Sequence, residues 1–332
     1  MGLQLRLLML LGLMFAILYG VIVVVGSLIG QGSLIVYVVI AVVMVGIQYL
    51  IGPSMVGWAM KVKWVSEQEQ PDLHRMVAEL AQSAGLRKPK VGVSQLNIPN
   101  AFAYGRTQGD ARICVTEPLL RSMNRDEVKA VLGHEMSHIK HRDMALLTLL
   151  SILPMIIYYI ATSLMWSGMF GGGNRNREGG ASPLPLIGIG LLVLYFFVNL
   201  LVLYASRIRE YYADMGSVRL GNEPRHLANA LYKLVLGSAR ASKETLRSTE
   251  GVKAFFVNDP GHALNEIRDL KEIDANLSGA IDQTELLTLR DKKIRLGLGE
   301  KMIELFTTHP NMLKRIKHLS TLGEAGPYIV AR

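Results

Sequence analysis

Long apolar runs alternate with mixed polar segments along the chain. Four runs, at residues 7–29, 34–52, 144–169 and 184–205, reach the roughly 20 residues that a helix needs to cross the hydrocarbon core of a bilayer. None of these runs carries an acidic or basic residue in its interior, where an isolated charge would be costly. The pattern predicts four transmembrane helices, with a kink or shift in the third near Pro154.

The first apolar run has an alternative interpretation as a cleaved signal peptide. It is longer than the about 7–15 apolar residues of such a peptide, and the second run begins only a few residues later. We therefore interpret residues 1–60 as an uncleaved hairpin of two spans. Residues 144–205 form the second predicted hairpin.

The mixed segment at residues 61–143 predicts a small unit of helices and strands. Apolar residues recur at helical spacing over residues 71–86, and Gly85 suits the end of that helix. The turn at residues 107–110 predicts a hairpin between the second and third of three short strands. These strands are predicted at Lys90–Ser94, Ala101–Tyr104 and Ala111–Thr116.

A second helix is predicted from Asn124 through His141, continuing nearly into the third span. Asn124 and Glu127, three positions apart, resemble a capping box. The tail at residues 206–332 is mostly helical by pattern. The predicted domains are therefore 1–60, 61–143, 144–205 and 206–332.

Composition supports a membrane protein. The chain has 332 residues, of which 50% are hydrophobic and only 19% are charged. Soluble globular proteins have about 25% charged residues, so an ordinary cytosolic enzyme is disfavoured, and this hydrophobicity excludes disorder. The single cysteine, Cys114, permits neither an intrachain disulfide nor a cysteine-based metal site.

The basic surplus predicts the orientation of the spans. The formal net charge is +9, and most lysines and arginines lie in residues 61–143 and after the fourth span. Beside apolar runs such a surplus indicates cytoplasmic flanks of membrane spans rather than a nucleic-acid surface, so no nucleic-acid partner is predicted. Both termini and residues 61–143 are expected to face the cytoplasm, with the lipid bilayer of the cell membrane as a partner.

The pattern His134-Glu135-Met136-Ser137-His138 predicts a metal site. Histidines four residues apart share one face of a helix, where two imidazoles can bind one tetrahedral zinc ion at about 2.0–2.1 Å. Glu135 lies roughly 100° around the helix and can act as a general base without ligating the metal. The alternative is a chance match on a surface helix.

A catalytic zinc site needs a third protein ligand. His141 shares the face of His134, but a straight helix separates the two by about 10 Å, too far for one ion. Glu210 is the better candidate because it follows the fourth span on the same predicted side, and Asp214, one turn later, could orient an imidazole. The alternative is a charged helix that only anchors at lipid head groups.

Several separate motifs carry a family resemblance. They are Asn100–Ala103, Val115-Thr116 with Leu119-Leu120, Asp126-Glu127, His134–Asp143, Ser206-Arg207 with Glu210 and Ala213-Asp214, and Thr308-His309-Pro310 with Arg315-Ile316. With these motifs the sequence resembles the HtpX-like membrane zinc metallopeptidases, which are relatives of the CAAX prenyl proteases. Met136-Ser137 departs from the Leu-Gly that relatives often have between the histidines.

The resemblance implies the roles of the site residues. It implies His134, His138 and Glu210 as zinc ligands and Glu135 as the general base. It also implies that His309 and Arg315 lie near the site and assist substrate or oxyanion binding. The strand at Asn100–Tyr104 would receive an extended peptide by strand addition.

The resemblance also implies the fold and the activity. The fold would be a mostly α polytopic membrane protein of four transmembrane helices, with a cytoplasmic zincin-like α+β catalytic domain. The activity would be zinc-dependent cleavage of misfolded or damaged membrane proteins at the cytoplasmic side, as part of protein quality control and the stress response. The alternatives are CAAX-type processing of lipidated C-termini, for which four spans look too few, and a non-catalytic membrane scaffold.

Residues 274–285 match a twelve-residue EF-hand loop, with Gly279 at the turn position. Oxygen ligands would come from Asp274, Asn276, Ser278, Ala280, Asp282 and Glu285. The match predicts a Ca²⁺ site between helices at residues 263–273 and 284–296. The alternative is a capped helix–turn–helix without an ion.

Overall fold

The computed structural model describes residues 46, 50–170, 183–249, 256–258, 263, 266–267, 270, 273–274, 276, 278–292, 294 and 297–322. The described strands are β1 (Val62–Trp64), β2 (Lys90–Ser94), β3 (Ala101–Tyr104) and β4 (Arg112–Thr116). The described helices are α1 (Leu50–Ala59), α2 (Pro71–Ala84), α3 (Glu117–Ser122), α4 (Arg125–Lys140), α5 (Asp143–Phe170), α6 (Leu184–Arg219), α7 (Pro224–Ala239), α8 (Lys243–Thr249), α9 (Gln283–Asp291), α10 (Leu298–Leu305) and α11 (Met312–Leu322).

The chain divides into two compact units. One contains Met1–Ile51 and Leu146–Ile208, and the other contains Gly52–Ala145 and Arg209–Arg332. We call the first the apolar helical unit and the second the site unit. The polar segments before and after the third and fourth predicted spans therefore belong to the same unit.

Two helices that are long and apolar enough to cross a membrane contribute to the apolar helical unit. They correspond to the third and fourth predicted spans, and α5 continues through Pro154. The helices approach closely where Gly188 faces α5, because a Cβ on Gly188 would lie 2.8 Å from the carbonyl oxygen of Ala161. The first two predicted spans lie outside the described residues except at 46 and 50–52. Of the four predicted spans, two are therefore seen as helices in the described part of the chain.

The site unit contains a four-stranded sheet in the order β1-β2-β4-β3. Strands β2 and β4 are parallel, whereas β1 and β3 pair antiparallel with β2 and β4 respectively. Sequence analysis predicted β2, β3, β4 and the hairpin between the last two, but it missed β1. Strand β3 is an edge strand, and its other side is left without a partner strand in the described part of the sheet.

Helix α2 covers the sheet with the apolar face predicted from its periodicity. Leu73, Met76, Val77 and Leu80 are buried in the main core of the unit. The helix ends at Gly85, whose φ of 71° is a left-handed conformation that glycine adopts without steric cost. The predicted helix and its end are confirmed.

Helix α4 runs through the centre of the site unit, packed against α2, α7 and β3. It begins with the predicted capping box, in which the Asn124 side chain accepts from Glu127 N–H and the Glu127 carboxylate accepts from Asn124 N–H. The helix ends at Lys140 with His141 as its C-cap, and Arg142 has a φ of 56°. The left-handed residue separates α4 from α5, so the helix does not continue into the third span.

The tail is helical as predicted, and α7, α9 and α11 pack against one another. Of the two helices expected beside the loop at residues 274–285, the second is α9, which ends earlier than predicted at Asp291. The other, at residues 263–273, falls largely outside the described residues.

Candidate metal centre

Helical spacing on α4 brings the two histidines together. His134 and His138 lie one turn apart, and their ring centroids are 4.7 Å apart. Their Nε2 atoms face each other at 3.2 Å. His134 is buried within the unit, whereas the His138 side chain is 17% exposed and marks the open side of the site.

The carboxyl-terminal part of α6 supplies the acidic residues, and small residues let it cross α4 closely. A Cβ on Gly216 would lie 1.9 Å from Ser137 Oγ, and one on Gly133 would lie 2.8 Å from Ser217 Oγ. The Ser217 hydroxyl donates to the carbonyl oxygen of Ala130 at 2.6 Å. A side chain at position 216 would therefore force the helices, and the ligands they carry, apart.

The crossing also explains how the departure at Ser137 is accommodated. The hydroxyl of Ser137 occupies the space opposite Gly216, where a second side chain would not fit. Serine instead of glycine on α4 is thus matched by glycine on α6.

Glu210 completes a group of three metal-binding side chains. Its Oε2 lies 3.6 Å from His134 Nε2, and its Oε1 lies 3.5 Å from His138 Nε2. One ligand atom from each residue lies within 4.8 Å of the others. Two ligands at 2.0–2.1 Å from a tetrahedral ion are about 3.4 Å apart, so the observed spacings fit a single small cation.

Asp214 holds His134 from the side opposite this group. Its Oδ1 lies 2.9 Å from His134 Nδ1, so the ring donates there and turns its Nε2 towards the group. Burial disfavours the charged imidazole, but hydrogen bonds to Asp214 and Glu210 outweigh burial and raise the pKa of His134 to about 9. The structure thus brings Asp214 to the position expected of an orienting carboxylate.

His138 has a matching carboxylate that sequence analysis missed. Asp143 Oδ2 lies 2.7 Å from His138 Nδ1, and the other oxygen of Asp143 pairs with the Arg209 guanidinium. Burial lowers the pKa of His138, and the neighbouring His134 lowers it further. Asp143 lies five residues after His138, a spacing that does not match helical periodicity, so its place at the end of the family motif assigned it no role.

Glu135 lies beside the metal group but outside it. Its side chain is buried, and burial raises its pKa although both histidines oppose the shift. A hydrogen bond from the backbone of Ala103 also favours the ionised form. The carboxylate therefore lies next to the edge strand β3.

Arg315 and His309 approach Glu210 from the C-terminal part of the chain. Arg315 is fully buried, donates to Asp214 at 2.7 and 3.0 Å, and lies 3.0 Å from Glu210 Oε2. Both carboxylates raise the pKa of Arg315 above its usual value, although burial opposes them. His309 Nδ1 lies 3.4 Å from Glu210 Oε2, and its ring nitrogens make no hydrogen bond to the described part of the chain. The substrate and oxyanion roles of both residues stay predictions.

Asn100 is buried just before β3, where it anchors a segment that sequence analysis did not single out. Its Oδ1 accepts from the backbone N–H of Val257 at 3.0 Å. The carbonyl oxygen of Val257 accepts from Arg315 Nη1 at 2.9 Å. Val257 thus links the start of the edge strand to the arginine at the metal group.

His141 turns away from the metal group, as the spacing argument predicted. Its Nδ1 lies 2.9 Å from the carbonyl oxygen of Ser137. It is not part of the metal-binding group formed by the described residues.

The loop at residues 274–285 does not support the calcium prediction. The Asp274 carboxylate accepts from Ser278 N–H, Gly279 N–H and the Tyr232 hydroxyl at 2.8–2.9 Å. Asp282 and Glu285 form a reciprocal capping box at the start of α9. Among the described residues, only His134, His138 and Glu210 gather three His, Cys, Asp or Glu ligand atoms. The loop therefore uses its acidic side chains for its own backbone.

The remaining predicted calcium ligands also have protein partners. Asn276 Oδ1 accepts from Ser278 N–H at 2.8 Å. The Ser278 hydroxyl contacts the carbonyl oxygen of Ala280 at 2.9 Å. These contacts match the alternative of a capped helix–turn–helix.

Known proteins share sequence with this chain. The model of the family described as Peptidase family M48 matches residues 67–322. A Protease HtpX homolog of Methanothermobacter thermautotrophicus is 46% identical over 253 residues, which cover 75% of this chain and 93% of the relative. One from Moorella thermoacetica is 34% identical over 288 residues, covering 86% of this chain and 84% of the relative.

A solved structure shares the fold. The crystal structure of S. mikatae Ste24p aligns with a TM-score of 0.50 at 18% identity, covering 96% of this chain and 66% of that chain. At this identity the likeness concerns the fold alone.

Proposed function

Because the chain belongs to peptidase family M48 and is therefore a protease, we propose that it is a membrane-embedded zinc endopeptidase acting on misfolded or damaged membrane proteins. The observation that carries the proposal is the convergence of His134, His138 and Glu210 beside the buried carboxylate of Glu135. An intact ligand set with an adjacent base disfavours the non-catalytic scaffold.

Two imidazoles and one carboxylate are a typical ligand set for catalytic zinc. His134, His138 and Glu210 would hold the ion. Asp214 would orient His134, and Arg315 would orient Glu210. When bound, zinc lowers the pKa of water and polarises a peptide carbonyl. The partial exposure of His138 leaves an open side for a substrate.

Glu135 is the proposed general base. Burial raises the pKa of its carboxyl group, which favours a base that accepts a proton and returns it to the leaving amine. It is not one of the three clustered ligand side chains, and its hydrogen bond from the backbone of Ala103 places it next to β3.

The edge strand β3 is the proposed docking site for the substrate backbone. Antiparallel pairing uses the hydrogen-bonding groups of alternate residues, and the Thr116 amide bonds to the Asn100 carbonyl on the β4 side. By alternation, the backbone groups of Ala101 and the carbonyl of Ala103 face the open edge, while the Ala103 N–H donates to Glu135. Recognition through the backbone tolerates many sequences, which suits a protease for unfolded segments.

His309 is the proposed oxyanion donor. Its ring lies at the metal group, and its nitrogens are not engaged by hydrogen bonds to described residues. A donor aimed at the developing negative charge on the carbonyl oxygen would stabilise the transition state.

The active site is proposed to face the cytoplasm. The excess of lysine and arginine in residues 61–143 and in the tail supports this orientation. Proteolysis of a tethered reporter in inside-out vesicles, and not in right-side-out vesicles, would test it.

The proposed activity is tested with full-length protein in detergent and an unfolded casein-like reporter. We expect cleavage to require zinc, to stop with a chelator and to fall by about 10²–10⁴-fold in Glu135→Gln. Glu117→Gln is the matched control because Glu117 is exposed and pairs only with Arg121 at 3.5 Å among the contacts described. Full cleavage by Glu135→Gln would contradict the assigned base. Cleavage restricted to prenylated peptides would favour the CAAX-type alternative.

A further inference from the structure

Each histidine of the metal group has a carboxylate on its Nδ1, and each carboxylate has its own arginine. For His134 these are Asp214, which the spacing after Glu210 predicted, and Arg315. His138 is followed by Asp143 and Arg209, to which nothing in the sequence pattern assigned a role. We propose that Asp143 is the positioning residue for His138 and that Arg209 holds Asp143 in place. This inference rests on the proposed zinc-dependent function.

The contacts of His138 define what Asp143 does. With Nδ1 2.7 Å from Asp143 and Nε2 3.2 Å from His134 Nε2, the ring cannot rotate without losing one of these positions. The carboxylate accepts a hydrogen bond from Nδ1–H, so the lone pair of the neutral ring lies on Nε2 and points to the metal group. The His138 side chain is more exposed than the His134 side chain and therefore depends more on this contact.

The break between α4 and α5 is what makes the contact possible. In an unbroken helix, a residue five positions after His138 would lie about 7.5 Å along the axis and roughly 140° around it. The left-handed conformation of Arg142, with a φ of 56°, ends α4 and folds Asp143 back towards His138. A non-glycine residue rarely adopts this conformation, so the tertiary contacts of the turn sustain it.

Arg209 offsets the free-energy cost of burying the Asp143 carboxylate. Asp143 is 3% exposed and Arg209 is 5% exposed, so either charge alone would be buried without a partner. Arg209 directly precedes Glu210 on α6. The pair therefore joins the turn after His138 to the residue next to the third ligand, and it sets both histidine orientation and ligand spacing.

The competing explanation is an ion pair that only ties two segments together. Such a pair would change the unfolding of the metal-free protein but not the metal site itself. Zinc affinity and the visible absorption spectrum of bound Co²⁺, which reports ligand geometry, distinguish the two explanations.

The experiment uses full-length, metal-stripped protein in detergent, with zinc affinity measured by competition against a chromophoric chelator. In Asp143→Asn we expect a 10–100-fold loss of zinc affinity and an altered Co²⁺ spectrum, in addition to the destabilisation of the metal-free protein that the unpaired Arg209 causes. Arg209→Lys keeps the charge and should lie between wild type and Arg209→Met. Asp110→Asn is the matched control, because Asp110 also pairs with arginines, Arg106 and Arg112, away from the metal group.

Several outcomes would overturn the inference. Wild-type affinity and an unchanged Co²⁺ spectrum in Asp143→Asn would do so. If Asp143→Asn does not fold, Asp143→Glu carries the test: its longer side chain should still pair with Arg209 but displace His138, so unchanged affinity would contradict the proposal. A wild-type chain that binds no stoichiometric zinc would instead defeat the proposed function itself.

Discussion

At the metal centre, the Nε2 atoms of His134 and His138 and the Glu210 carboxylate face one another, while carboxylates and arginines hold them from behind. In the loop at residues 274–285, the Asp274 carboxylate instead accepts hydrogen bonds from three protein donors. Both regions carry a metal-binding sequence pattern. The difference teaches that a ligand pattern becomes a candidate metal site only where folding gathers ligand atoms of several side chains around one point.

Removing a proposed zinc ligand should have the largest effect on zinc affinity at the metal centre. Glu210→Gln keeps the shape of the side chain but removes the charge. We therefore expect zinc affinity to fall by more than the about 10–100-fold loss that is typical when a residue contacting a ligand, rather than the metal, is changed. Bound zinc is measured by competition titration and metal analysis. Glu117→Gln serves again as the control, and wild-type zinc content in Glu210→Gln would show that the carboxylate is not a ligand.

A side chain at the crossing of α4 and α6 should weaken zinc binding without changing a proposed ligand. In Gly216→Ala the new methyl group meets Ser137 Oγ, and we expect a loss of about 1–3 kcal/mol in stability together with weaker zinc binding. Thermal unfolding in detergent and zinc titration measure the two effects.

A compensating change tests whether that clash is the cause. Adding Ser137→Gly to Gly216→Ala removes the Ser137 side chain and so makes room for the new methyl group. The double variant should therefore recover zinc affinity non-additively. Gly299→Ala is the control, because nothing lies within 4 Å of its Cβ position. Additive losses in the double variant would contradict the explanation.

Removing the charge of Asp274 tests the loop side. Burial opposes ionisation, but hydrogen bonds from Gly279, Tyr232 and Ser278 hold the pKa of Asp274 below its usual value. Asp274→Asn should cost about 1–2 kcal/mol near neutral pH because backbone donors lose a charged acceptor. Hydrogen exchange of the loop amides measures this cost.

The pH dependence of the Asp274 contribution has a definite sign. A carboxyl group whose pKa is lower in the folded state stabilises the fold above its unfolded pKa of about 3.9, and this stabilisation is lost as the pH falls through the folded pKa. The difference between wild type and Asp274→Asn should therefore shrink below about pH 4. A difference that grows on acidification would refute the assignment.

The smallest expected effect concerns the cap of α9. Glu285→Ala removes one half of the capping box and should cost about 0.5 kcal/mol without altering zinc affinity. Because the loop carboxylates already have protein donors, we expect calcium not to raise the melting temperature of either protein. Calcium-dependent stabilisation of wild type that is absent in Glu285→Ala would show that the loop also binds a metal ion.

Helical periodicity made part of this site accessible from the sequence. The pairing of His134 with His138, the exclusion of His141 and the cap at Asn124 all depend on contacts within one turn or two of one helix. Strand β1 was missed because three residues with partly exposed side chains carry no clear alternation. Glu210 was reached through the order of the apolar runs together with the family resemblance.

The sequence by itself determined most local elements, the two long apolar helices that are described and the candidate histidine pair, because these depend on spacing along one chain segment. The tertiary structure alone decided that Asp143 and Arg209 stand behind His138, that Gly216 makes room for Ser137, and that Asp274 serves its own loop. Those relations join residues through a helix break, a helix crossing and a backbone turn. No periodicity of a single segment encodes the resulting distances, since they are set only when the segments pack.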